Sequence, residues 1–322
     1  MEIGDIGEFG FIDRIIASQQ KTNAKGVVGI GDDCAVIPSR EGYSYVITTD
    51  MLIEGKHFLL EHISPCELGY KSLGVNLSDV VSMGATPLYS FLSISIPPTT
   101  TTKWVDEFLK GYNSFNVPLL GGDTTAAETG AMAISVTAIG ECKNEDIKYR
   151  SGAKCGDYIA TTGFLGSSAA GLKALGSEKN KVLIKAHHTP DIDIKEGVWL
   201  GSKKAVTAMM DISDGISSDV RHICKSSKCG AVIDIGKLPI EKECFDFCLH
   251  NNLNARELAL SGGEDYKLML TVKKDAFEEL NNEFMRIFEK HLFIIGKIEE
   301  GNKVRYIDGD REVDIKTGFT HF

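Results

Sequence analysis

Apolar and polar positions along the chain alternate between the spacing of a helix and the spacing of a strand. Phe9, Ile12, Ile15 and Ile16 recur at helical intervals and predict a first helix over residues 8–18. Tyr43–Thr49 is apolar and β-branched, which predicts a strand ending in Thr48-Thr49-Asp50. Ser64-Pro65-Cys66-Glu67 marks a helix start, with Ser64 as N-cap, Pro65 at the first helical position and Glu67 closing a capping box. That helix is expected to reach about Met83 and to stop at Gly84. A strand over Leu88–Ile96, a helix over Trp104–Phe115, and a strand Val117–Leu120 running into Gly121-Gly122-Asp123-Thr124-Thr125 follow, then a strand over Ala131–Ile139.

The polar, glycine-bearing run Tyr149–Asp157 predicts a boundary, dividing the chain into domains of 1–148 and 149–322. Beyond it the pattern predicts a strand (Tyr158–Thr162), a helix rich in small residues (Ser167–Leu175) and a stretch, 177–196, that is helical in patches and holds His187-His188. Met209–Gly215 reads as another strand end carrying acids, with a helix over Ser217–Ser226 after it. A strand Ala231–Ile235 and a helix Glu241–Asn251 come next. In Ser261-Gly262-Gly263-Glu264-Asp265 the acids instead precede their strand, Tyr266–Val272. An amphipathic helix (Ala276–Lys290), a strand (Leu292–Gly296) and a short hairpin finish the chain. This mixed order predicts an α+β protein of two α/β domains.

Composition narrows the partners. Of 322 residues, 43% are apolar and 25% charged, a soluble globular balance, and no run approaches the roughly 18 apolar residues of a membrane span. The N-terminus has no basic start followed by an apolar core, so no secretory signal is expected and the cytoplasm is the default location. The eight cysteines form no Cys-x-x-Cys pair and are expected to be reduced, mostly buried thiols. A net charge of −10 with no basic stripe argues against nucleic acid. It leaves room for a phosphorylated ligand, provided divalent cations stand between the two sets of negative charge.

The acids supply the candidate chemistry. Gly29-Ile30-Gly31-Asp32-Asp33 taken alone is a solvated turn. Adjacent carboxylates, if partly buried, raise each other's pKa unless a cation sits beside them. Asp32 and Asp33 recur in kind as Asp50, Asp79, Asp123, Asp211 and Asp214, most of them next to Gly, Ser or Thr at a strand end. Asp79 shares a helix face with Asn76 in apolar surroundings. Carboxylates gathered from several segments suit Mg²⁺, which takes a few carboxylates together with water and substrate phosphates. The expected chemistry is metal-assisted work on a phosphorylated ligand. No Gly-x4-Gly-Lys-Ser/Thr, no complete dinucleotide fingerprint and no His-Arg-Asp or Asp-Phe-Gly occurs, which sets aside P-loop, dinucleotide-binding and protein-kinase chemistry.

Seven motifs in order, GIGDDCAV, TTDMLIEGKHF, YKSLGVNLSDVVSMGATP, LLGGDTT, YRSGAKCGD, DISDGISSD and SGGEDY, resemble the thiamine-monophosphate kinase family, part of the aminoimidazole ribonucleotide synthetase-like superfamily. The resemblance runs from about residue 5 to the C-terminus. It implies transfer of the ATP γ-phosphoryl group to thiamine phosphate, without a phosphoenzyme and with several Mg²⁺ ions. It also implies a homodimer whose N-terminal sheets form a barrel, with ATP bound chiefly by that domain. By matching motif, Asp33, Thr48, Thr49, Asp50, Asp79, Asp123, Asp211 and Asp214 would hold metal, with Asp79 bridging and Asp32 only shaping the turn. Asp79, Asp123 and Asp214 would be catalytic. Gly122, Asp123, Arg150 and Ser213 would meet ATP, and His57, Glu264 and Phe319 would face thiamine phosphate. A thiazolium cation suits a carboxylate and an aromatic face. Cys155 replaces a usual proline, the helix before Gly121 is about a turn short, and an arginine usual after Pro190 is absent. Relatives that mature hydrogenases end in a reactive cysteine, and selenophosphate synthetases carry one near the start. This chain ends in Thr-His-Phe and has no cysteine in its first 33 residues.

Overall fold

The computed structural model describes residues 3–18, 24–128 and 130–315. Its first half holds α1 (Ile3–Ser18), β1 (Ala35–Pro38), β2 (Tyr43–Ile53), α2 (Pro65–Ser82), β3 (Thr86–Ile96), α3 (Thr102–Tyr112), β4 (Leu119–Ala126) and β5 (Ala133–Lys143). The second half holds β6 (Tyr158–Thr161), α4 (Ser167–Lys173), α5 (Lys181–His188), α6 (Ile194–Gly201), β7 (Val206–Asp211) and α7 (Ile216–Ser227). It continues with β8 (Gly230–Asp234), α8 (Lys242–His250), α9 (Ala255–Ser261), β9 (Leu268–Val272), α10 (Phe277–Phe288), β10 (Phe293–Glu299), β11 (Val304–Asp308) and β12 (Arg311–Glu312). A five-stranded sheet of order β1-β2-β5-β3-β4 and a seven-stranded sheet of order β12-β11-β8-β10-β6-β9-β7 result. Pairing is antiparallel except for β3 with β4 and β8 with β11. Among the described residues no helix is long and apolar enough to cross a membrane.

The helix α2 organises both halves. Its start is the one expected: Ser64 accepts from the Glu67 N–H, and the Glu67 carboxylate accepts from the Ser64 N–H, so two of the unpaired groups at the helix end are satisfied. Most of its eighteen residues are buried. One side lies on the five-stranded sheet and α3, the other against α6 and β7. A single hydrophobic core therefore runs from Leu73, Leu77 and Val81 into Val206, Leu268 and Phe284 of the second half. Contact with α3 is so close that a side chain at Gly69 would strike the Phe108 carbonyl, and one at Gly111 the Cys66 carbonyl. Those two positions hold glycine because the backbones touch there.

Two expectations about strand ends need correcting. Asp50 lies inside β2, which continues to Ile53, and Asp123 lies inside β4, so neither marks a strand-to-turn junction. Strand alternation then decides which way each residue faces. In β2 the alternation puts Ser44, Val46, Thr48, Asp50 and Leu52 on the α2 side, and Thr49 and Met51 on the other. The short strand β1 and the helix α9 had no expected counterpart. The latter is begun by Asn254, whose side chain accepts from the Arg256 and Glu257 N–H groups. The outer face of the five-stranded sheet exposes Ile37, Met51, Tyr89 and Phe91, with Leu119 and Leu120 at its β4 edge. Every cysteine is a free thiol, and most are buried, as expected.

Candidate active site

Three carboxylates meet where the two halves touch. Asp33 comes from the turn before β1, Asp79 from the last turn of α2 and Asp211 from the last position of β7, and their oxygens lie within 4.8 Å of one another. Each is aimed by a hydroxyl. Ser82 Oγ donates to Asp33 (2.6 Å), Thr48 Oγ1 to Asp79 (2.6 Å) and Ser78 Oγ to Asp211 (2.8 Å). Helix α2 thus supplies one acid and the hydroxyls that hold the other two. Asn76 adds its side-chain oxygen, which accepts the Asp50 N–H at 3.0 Å. Such partners fix carboxylate orientation and leave lone pairs for a cation.

The charge is poorly compensated. Burial, then the neighbouring Asp33, pushes Asp211 up to about 8, and the same two causes push Asp50 up to about 6. Burial, followed by Asp50, Asp211 and Asp33, drives Asp79 well above the usual carboxylate range. Asp33 has a counter-charge, since Arg150 donates from Nε (2.9 Å) and from a terminal nitrogen (2.5 Å) to its Oδ1. Asp32 turns its carboxylate onto the Arg150 backbone N–H at 3.0 Å, and burial and Asp33 raise it to about 6. The donor set is all oxygen, preoriented and mutually repelling, which fits hard divalent cations.

From the acids a cavity of about 460 Å³ extends between the halves. Asp50, Asp79, Asp211, Ser213 and Asp214 line one part, and His57, Lys71, His187, His188 and Glu264 another. His57 Nδ1 accepts the Ile53 N–H at 2.9 Å, so in the neutral ring the proton sits on Nε2. Glu264 and Tyr266 both adopt left-handed backbone angles, φ +57° and +49°. Their N–H groups donate to the Ser213 (2.7 Å) and Ile212 (2.9 Å) carbonyls, tying this strained loop to the segment that carries Asp211 and Asp214. The side chain of Asp265 braces the loop by accepting from the Gly166 and Ser168 N–H groups.

Other expected site residues stand apart from the acid cluster. The Thr49 hydroxyl points to the opposite face of β2 and donates to the Val136 carbonyl at 3.1 Å. Gly122 and Asp123 lie on the exposed edge strand β4, where the Asp123 carboxylate accepts from the Thr124 N–H. Phe319 lies outside the described residues. Sequence reading missed Lys71, Ser78 and Ser82. The available signal was a lysine and several hydroxyls inside a helix too apolar and glycine-rich to be a surface helix. It noted His187 and His188 without giving them a place.

Comparison with known proteins adds three findings. Profiles of the AIR synthase related protein family match residues 31–142 (its N-terminal domain) and 157–309 (its C-terminal domain). The thiamine-monophosphate kinase of Buchnera aphidicola subsp. Schizaphis graminum is 38% identical over 332 residues, covering 99% of each chain. Among solved structures, AaThiL complexed with AMPPCP and TMP superposes with a TM-score of 0.86 at 31% identity, covering 100% of this chain and 99% of that one. Thiamine-monophosphate kinase from Stenotrophomonas maltophilia K279a superposes at 0.76, also at 31% identity, covering 93% and 96%.

Proposed function

The chain belongs to the thiamine-monophosphate kinases, within the AIR synthase related proteins, and from that premise we propose that it transfers the γ-phosphoryl group of ATP to thiamine phosphate. The product is thiamine diphosphate, and the step is the last in making it. A phosphate oxygen of thiamine phosphate attacks the γ-phosphorus in line, that phosphorus parts from the β–γ bridging oxygen, and ADP leaves. The observation carrying this reading is the cluster of Asp33, Asp79 and Asp211, only partly compensated by Arg150, whose Asp79 and Asp211 line one part of a cavity while Glu264 lines another. Several bound Mg²⁺ ions would supply charge neutralisation for the transferred group. Asp33, Asp50, Asp79, Asp211 and Asp214 are the acids that would hold them, with Thr48, whereas Asp123 and the Thr49 hydroxyl stand apart from this cluster. Hydroxyls from Ser78, Ser82 and Thr48 keep three of those carboxylates preoriented.

Residues 1–148 form the domain that binds ATP and metal in this reading, and 149–322 the second α/β domain. Gly122, Arg150 and Ser213 contact ATP. His57 offers a neutral N–H, Glu264 a carboxylate for the thiazolium cation, and Phe319 an aromatic face. The chain pairs as a homodimer through the outer face of the five-stranded sheet, which supports this by exposing Ile37, Met51, Tyr89 and Phe91 together. The reaction belongs in the cytoplasm, where ATP is supplied. Incubation with Mg-ATP and thiamine phosphate is expected to yield thiamine diphosphate, read by chromatography. Product no greater than in the enzyme-free control would dispose of the proposal. Light scattering is expected to give twice the 35.1 kDa chain mass, and a monomer mass at micromolar concentration would refute the pairing.

A further inference from the structure

Lys71 is buried to 0% exposure in the middle of α2, yet its ammonium group is not spent on the helix or the core. Its hydrogen-bond acceptor among the described residues is Glu264 Oε2, at 3.2 Å, on the far side of the boundary between the halves. An ammonium group carries three donors, so one acceptor is meagre provision for a charge held away from water. Among the described residues the other buried lysine, Lys148, donates to the Lys203 carbonyl and lines no part of the cavity. Lys71 does line it.

Glu264 is held from several directions. Its backbone is left-handed and its N–H is fixed to Ser213, which leaves the side chain only its own torsions to aim with. His187 Nδ1 lies 3.3 Å from the same Oε2 and 3.1 Å from Ser168 Oγ. That ring is neutral, burial and then Lys71 having lowered it to about 2, so Lys71 is the cation paired with Glu264. Burying the Lys71 ammonium group costs desolvation that one carboxylate, itself 26% exposed, offsets poorly, so core packing gives no reason to keep a lysine here. Lys71 also precedes Asp79 by eight positions on the same helix, about 12 Å along its axis. One rigid element therefore sets the spacing between the carboxylate part of the cavity and the metal-binding part.

We propose that Lys71 is a positioning residue: it holds the Glu264 carboxylate where the cationic ring of thiamine phosphate binds. The inference rests on the reading of Glu264 given above. In Lys71→Met the KM for thiamine phosphate is expected to rise about tenfold or more, while kcat and the KM for ATP stay within about threefold of the parent. Because Lys71 acts through Glu264, the double variant Lys71→Met/Glu264→Gln is expected to show a KM no higher than Glu264→Gln alone. Should Lys71→Met fail to fold, Lys71→Gln, which retains a polar tip, carries the same comparison. An unchanged KM, a loss confined to kcat, or effects that multiply in the double variant would overturn the positioning role, the last pointing to direct contact with the substrate phosphate. An inactive parent protein would instead remove the reading of the whole site, and this inference with it.

Discussion

Asp79→Asn is expected to lower kcat on the order of a thousandfold while making the metal-free protein more stable. The two effects have one cause. Asp79 sits among Asp33, Asp50 and Asp211 with burial working against its charge, so in the absence of a cation its ionisation costs folding free energy. Asparagine has nearly the same shape, and its side-chain oxygen can still accept the Thr48 hydroxyl. It removes one of the central negative charges and with it the position from which a bridging carboxylate would hold more than one ion. Stabilising the metal-free chain by about 1 kcal/mol would raise the thermal midpoint by about 2–4 °C. The shift that Mg²⁺ produces in the parent should shrink in the variant. Melting curves with and without Mg²⁺, beside steady-state rates at saturating Mg-ATP, separate loss of chemistry from loss of fold. Activity within tenfold of the parent would show that Asp79 is not a bridging ligand.

Stripped of divalent metal, the protein should lose stability as pH rises from 7 to 9, by on the order of 3 kcal/mol, and Mg²⁺ should flatten the decline. A carboxylate whose folded pKa exceeds its unfolded value binds more protons folded than unfolded. It contributes stability below the unfolded pKa and loses it as pH climbs through the folded one. Asp211, raised to about 8, and Asp79, raised well above the usual range, place the loss in this window. Below it other groups interfere. Asp32 and Asp50, near 6, have the same sign, but burial lowers His187 to about 2 and His222 to about 4. A histidine lowered in the fold adds stability as pH rises through the unfolded value near 6.5, which masks the acids there. Chemical denaturation at pH 7, 8 and 9 in a chelating buffer, repeated in Mg²⁺, provides the measurement. A flat metal-free profile over that range would mean that the acids are compensated by other means.

The sequence carried the helix α2 in full detail, because Ser64, Pro65, Glu67 and Gly84 are local signals that act within a turn of where they stand. It also pointed to Asp33, Asp79 and Asp211 as metal-binding acids, and these are the ones that converge. Recurrence beside small residues was enough to nominate them. Which face of a strand an acid or hydroxyl occupies was less legible. Thr48 and Thr49 are neighbours of similar chemistry, yet one reaches Asp79 and the other the far side of the sheet, because β2 runs past Asp50 to Ile53. The register of an extended strand is set by pairing with β5, over eleven residue pairs distant in sequence, and no local pattern states it. Lys71 was invisible for a related reason. Its partner Glu264 is 193 positions away, and only the fold brings them together.

The hydroxyl of Ser78 and the carboxylate it holds, Asp211, are separated by 133 positions, whereas Ser82 and Asp33 are separated by 49. A chain emerging from the ribosome therefore completes β2 and α2, with Asp33 and Asp79 in place, long before Asp211 has been synthesised. Throughout that interval the nascent protein cannot assemble the three-carboxylate centre. The spread of the acids across both halves thus makes the cluster wait for the second half of the chain. A copy that ends before Asp211 lacks the cluster.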